Sequence, residues 1–128
     1  MFHYTRDVHL TVDEAAERIE EELQKEKFGV LWSFNVKEML NEKGLDFDQH
    51  YKILEVCNPV EAKKVLSENP LAGYFLPCKM AVYEDKGQVK IGMPKPTILI
   101  SQVDSADQTL KTTAEDVERK MQAAIDRV

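Results

Sequence analysis

The residues best placed for chemistry are two thiols and an amide. Cys57 closes the apolar run Ile53-Leu54-Glu55-Val56-Cys57 and is followed by Asn58-Pro59. Cys78 opens Cys78-Lys79-Met80-Ala81-Val82, directly after Leu76-Pro77. These are the only cysteines, and so the only soft metal ligands of thiolate type. Asn58 is a strong N-cap, and Pro59 suits a first helical position, where the missing N–H would lack a partner anyway. Cys57 therefore sits just before a helix N-terminus, whose partial positive charge favours a thiolate. The functional reading is a reactive pair for sulfur transfer, redox sensing or soft-metal capture. The plain reading is two small buried hydrophobes, a common fate of free cysteine. Asn58 and its neighbouring backbone could receive an anion, or form an ordinary cap whose donors are already occupied. If the Cys57 and Cys78 strands pair antiparallel, the two sulfurs lie at the same end of the sheet, and this is the favoured arrangement. A right-handed parallel crossover would put them at opposite ends.

Other clusters point to less. Asp46, Asp48 and His50 alternate, but the twelfth position counted from Asp46 is Cys57, where a calcium loop needs Glu, so a solvated acidic loop is expected. His3 and His9 read as surface or dimer-edge residues. Glu20-Glu21-Glu22 reads as a solvated helix face. Trp32 and Phe34 alternate in a strand and read as core, although they could line a pocket. The chain has no Gly-rich phosphate loop, no Gly-x-Ser-x-Gly elbow and no His-Glu-x-x-His helix. No cofactor is expected, and a metal only at Cys57 and Cys78.

The elements that must position these residues follow from pattern. Phe2 to Leu10 reads as a strand interrupted by Arg6. Thr11-Val12-Asp13-Glu14 forms a capping box for a helix to about Lys27, with Gly29 as its stop. A strand through Val30, Trp32 and Phe34, a short helix from Asn35 to Gly44, a strand from Tyr51 to Cys57 and a helix from Pro59 to about Ser67 come next. Cys78–Glu84 and Gln88–Met93 make a hairpin across Asp85-Lys86-Gly87. Thr97 to Val103 reads as a last strand, and the chain is helical from about Ser105 to Arg127, with a kink expected near Thr112. The expectation is one α+β domain over residues 1–128, with an antiparallel sheet covered on one face by helices. The other face must be solvated or covered by a partner.

Charge narrows the partners. The net charge is −6 and Lys and Arg are interspersed with Asp and Glu, which argues against nucleic acid and anionic lipid. No apolar run approaches the roughly 18 residues of a membrane span. The first residues are broken by Arg6 and Asp7, so no secretory core is expected, and the reading is a cytoplasmic protein with free thiols.

The blocks Lys27-Phe28-Gly29-Val30-Leu31-Trp32, Ile53-Leu54-Glu55-Val56-Cys57-Asn58-Pro59, Leu76-Pro77-Cys78 and Val82-Tyr83-Glu84 together resemble the domain of unknown function 302 family. The resemblance spans essentially the whole chain. It implies a small α+β fold of β-α-β4-α order, similar to the TATA-box-binding-protein-like fold class, a homodimer, and a bacterial or archaeal origin. It implies no activity, and a shared fold class is no evidence for DNA binding. Three functional readings remain open: a non-enzymatic small-ligand binding or accessory module, a thiol site at Cys57 and Cys78 for sulfur, redox or metal handling, and a structural module acting through its dimer surface.

Overall fold

A computed structural model describes residues 1–128. Strand β1 (His3–Val8) leads into helix α1 (Val12–Lys25), whose start is the expected capping box: Glu14 N–H donates to Thr11 Oγ1 at 3.1 Å and Thr11 N–H to Glu14 Oε1 at 3.0 Å. The stop is not Gly29. Lys27 takes φ +70°, Phe28 N–H bonds Leu23 C=O at 3.0 Å and Lys27 N–H bonds Gln24 C=O at 3.0 Å, so a lysine holds the left-handed position that favours glycine. Phe28 is then turned into the core, 2% exposed.

Strand β2 (Gly29–Asn35), helix α2 (Val36–Glu42), strand β3 (Tyr51–Cys57) and helix α3 (Pro59–Glu68) follow. A 3₁₀ turn (Pro70–Phe75) then leads to strands β4 (Cys78–Asp85) and β5 (Gln88–Pro94). These two meet in a tight hairpin where Asp85 faces Gln88 and both Lys86 (φ +52°) and Gly87 (φ +81°) adopt the positive φ of a two-residue turn. Helices α4 (Pro96–Ser101) and α5 (Gln108–Asp126) complete the chain. The strands form one five-stranded antiparallel sheet in the order β1-β5-β4-β3-β2. This is the expected α+β architecture, and no helix is long and apolar enough to cross a membrane.

Helices α1 and α5 lie on one face. Ile19 and Leu23 from α1 and Met121 and Ile125 from α5 close over Leu54, Val56, Met80, Val82 and Ile91, all at most 2% exposed. Each such side chain contributes roughly 1.5–3 kcal/mol of burial, so this layer supplies much of the fold's driving force. The interruption at Arg6 has a reason: Arg6 Nη1 donates to Asp126 Oδ1 at 3.0 Å, and the Tyr4 hydroxyl donates to the same oxygen, so α5 reaches the β1 edge through polar groups. A second small core of Val65, Ala72, Ile100, Leu110 and Ala114 lies under α3, the 3₁₀ turn and α4.

Four further expectations are corrected. Residues Pro96–Ser101 are helix, not the start of a last strand. Both sides of β5 are already taken by β1 and β4, so Thr97 to Val103 has no ladder beside it. Pro96 opens the helix, while Thr97 N–H and Oγ1–H donate to Glu118 Oε1 of α5 at 3.2 and 2.7 Å. The last helix begins later than Ser105, at Gln108, where Asp107 Oδ1 caps it by accepting from Leu110 N–H at 2.9 Å. Glu22 is not on a solvated face: it is 6% exposed and bound by Lys25 Nζ at 2.7 Å and Arg127 Nε at 2.9 Å, and these partners hold its carboxyl below the usual range. Trp32 is 53% exposed rather than core, because a β-bulge at Leu31 advances the register. Val30 faces Val56 under the helices, but Trp32 and Phe34 face Glu55 and Ile53 on the open side of the sheet.

Candidate functional site

The favoured antiparallel pairing puts the two cysteines at the same end of the sheet, though strand alternation turns Cys78 to the face of Val56 and Cys57 to the face of Glu55. Cys78 lies opposite Val56, so Cys57 and Cys78 are one residue out of register on neighbouring strands at the same end of the sheet. Both are free and partly buried, and both border a small, partly open pocket of about 50 Å³. The cavity lies along the seam between the two cores, with Phe28, Val56 and Val117 on one side and Val65, Ile100 and Ala114 on the other. Burial, with a smaller contribution from neighbouring Cys57, pushes the Cys78 thiol up to about 11.

Asn58 is a cap first. It is 6% exposed, and its Oδ1 accepts from Val60 N–H at 3.1 Å and Glu61 N–H at 3.4 Å. The donors that an anion would need are thereby occupied, so Asn58 walls the cavity and fixes the direction of α3.

The residue that sequence reading missed is Glu61. It stands in the first turn of α3, where an acidic residue suits the helix dipole, and nothing in its spacing marks it out. Yet it is 7% exposed and lines the same cavity as both thiols. Its Oε1 accepts from Lys64 Nζ at 3.3 Å, while its Oε2 is buried with no hydrogen-bond partner. Lys120, held protonated chiefly by Asp116, also feels the Glu61 charge. An unpartnered buried acceptor costs about 1–3 kcal/mol, so its persistence in an otherwise apolar pocket calls for an occupant or a partner.

The open face of the sheet carries a second concavity. A groove of about 430 Å³ runs over β1, β5, β4 and β3. Its walls are cross-strand pairs: Tyr51 stacks on Tyr83 with centroids 4.9 Å apart, Ile53 faces Ala81, and Lys79 Nζ reaches Glu55 Oε1 at 2.8 Å. Its floor is low at Gly92, where an added Cβ would meet Thr5 Oγ1 at 2.6 Å. His3 Nδ1 lies 2.9 Å from Thr5 Oγ1 at one end. Beside the groove, Trp32 and Phe34 stack at 5.1 Å. Asp46 and Asp48 remain in an exposed loop, and no three His, Cys, Asp or Glu side chains gather in the manner of a ready-made metal site.

A family model described as Domain of unknown function DUF302 matches residues 4–128. The solved structure described as an uncharacterized conserved protein DUF302 from Bacillus stearothermophilus is 56% identical, covers 99% of this chain and 98% of its own, and superposes with a TM-score of 0.93. No curated protein matches.

Proposed function

The chain belongs to the DUF302 family, and on that premise we propose that it is a non-enzymatic accessory module of the cytoplasm. In this reading it holds a small ligand against the open face of its sheet, and a second copy of the chain closes over it. The observation that carries this reading is the groove of about 430 Å³, within the range of small-molecule sites, on a sheet face that no helix covers. Its polar side chains are already engaged with one another, as His3 is with Thr5 and Lys79 with Glu55, which suits recognition better than activation of a nucleophile. Stacked tyrosines and one lysine favour a flat or anionic ligand.

The same face suits a second copy. Seven-residue strands at about 3.3 Å per residue, five of them about 4.8 Å apart, span roughly 550 Å² in plan. Side-chain relief raises this toward the about 800 Å² per partner of a specific interface. The Lys79–Glu55 and Lys90–Asp7 pairs put both signs of charge on the face, as a two-fold contact requires. The test is sedimentation velocity on the wild type and on Ala81→Arg, which fills the groove without touching the helix-covered core. A wild-type dimer and a folded Ala81→Arg monomer are expected. A wild-type monomer, or an Ala81→Arg dimer, refutes the open face as the interface.

A further inference from the structure

We propose that the pocket between the two cores binds a small primary alkylammonium, with Glu61 Oε2 receiving the ammonium head and the apolar lining receiving the tail. The site is separate from the open-face groove: it lies among α3, α4 and α5, on the helix-covered side of the sheet. Binding is by hydrogen bonding and burial, and no covalent bond is made or broken.

The observation that carries this is an acceptor without a donor. The Glu61 side chain is 9% exposed and its Oε2 has no hydrogen-bond partner. The nearby cations are engaged elsewhere. Lys64 Nζ lies 3.3 Å from the other oxygen, Oε1, and Lys120 Nζ lies 2.9 Å from Asp116 Oδ2. A buried charge is costly unless it is paired and hydrogen-bonded, so a positively charged donor is the occupant that removes the penalty.

The lining sets the rest of the ligand. Phe28, Val65, Leu76, Ile100 and Val117 give walls against which an alkyl chain is buried. Thr113, 7% exposed, adds a hydroxyl to the same lining, a second acceptor for an ammonium with three N–H donors. The space is about 50 Å³, where one water needs about 10–15 Å³, so it takes about four non-hydrogen atoms. Leu76, Cys78, Pro96 and Ile100 also wall a neighbouring apolar space of about 40 Å³, into which a slightly longer tail extends. Other occupants fit less well. An anion would meet the Glu61 carboxylate with like charge. A metal ion lacks ligands, because no three His, Cys, Asp or Glu side chains gather. A water answers the acceptor but leaves the apolar walls without a partner.

The experiment is an NMR titration of methyl-labelled protein near neutral pH with n-butylammonium, n-butanol and n-butyrate. The three probes share a chain and differ in the head, and the amine is charged at that pH as a lysine side chain is. The expected result is one butylammonium per chain, with shifts at the methyls of Val65, Ile100 and Val117. Butanol should bind about tenfold more weakly or worse, and butyrate should not bind. Glu61→Gln keeps the shape and removes the charge; it should weaken butylammonium by about tenfold or more and change butanol little. Ala62→Leu narrows the partly exposed edge of the pocket and should weaken both. No butylammonium binding by the wild type, equal affinity for butylammonium and butanol, or unchanged binding by Glu61→Gln overturns the proposal. Shifts confined to Ile53, Ala81 and Met93 overturn it as well, because they place the amine in the open-face groove. Should the variants fail to fold, the ranking of the three probes on the wild type decides alone.

Discussion

Glu61→Met isolates the energetic premise of the cavity. The wild-type side chain is 9% exposed with Oε2 unpartnered, so removing the carboxylate relieves about 1–3 kcal/mol of unmet desolvation. Methionine keeps the length and fills the apolar lining. Against this stand two losses. The Lys64 contact, at 3.3 Å to a half-exposed lysine, is worth at most about 0.5 kcal/mol. The favourable placement of an acid in the first turn of α3 is worth about 0.3–1 kcal/mol. Taken at mid-range, these values leave a variant more stable by about 1 kcal/mol, or about 4 °C in Tm for a chain of this size. Urea unfolding should show a higher midpoint with an unchanged slope. A loss of 1 kcal/mol or more would refute the reasoning: Oε2 would then have a partner in the folded protein, and the cavity would hold no unmet acceptor.

Lys27→Gly removes a β-carbon from a left-handed position (φ +70°) and should raise stability by about 0.5–1 kcal/mol in the same unfolding assay. Gly92→Ala drives a Cβ to 2.6 Å from Thr5 Oγ1 between β1 and β5 and should cost about 1–3 kcal/mol, with much of the loss restored by adding Thr5→Ala. The folded Cys78 thiol titrates at about 11 against an ordinary 9.0, so the folded state binds the proton more tightly. The resulting stabilisation, roughly 2–3 kcal/mol, is intact below pH 9 and is lost as pH rises through about 11. Urea midpoints across that window should fall in the wild type and stay flatter in Cys78→Ala. For the same reason Cys78 should resist a thiol reagent near neutral pH until the chain unfolds.

What the sequence made legible was set by local chemistry. The Thr11–Glu14 box, the Asn58-Pro59 start of α3 and the Lys86-Gly87 turn each specify backbone from a few adjacent residues, and each stands where it was expected. The antiparallel pairing of the Cys57 and Cys78 strands is the favoured one of the two that the sequence left open, and the register sets Cys78 opposite Val56. The errors arose where distant groups decide. The apolar run Ile98-Leu99-Ile100 fits helix or strand equally by composition, and Glu118 of α5 with the occupied edges of β5 makes it helix. The bulge at Leu31 reverses the face of Trp32, and a one-residue change in register leaves no mark in an alternating pattern. Glu22 is buried because the chain end returns Arg127 to it. Glu61, adjacent to a well-read cap, was invisible as a site residue because its significance is the lack of a partner, which only packing reveals.

The central claim is that the open face of the sheet is covered in the working protein, by a ligand and by a second chain. Native mass spectrometry of freshly purified protein, without added metal or reductant, tests it most directly. The account predicts a dimer carrying mass beyond two bare chains. A monomer at the bare chain mass would contradict it.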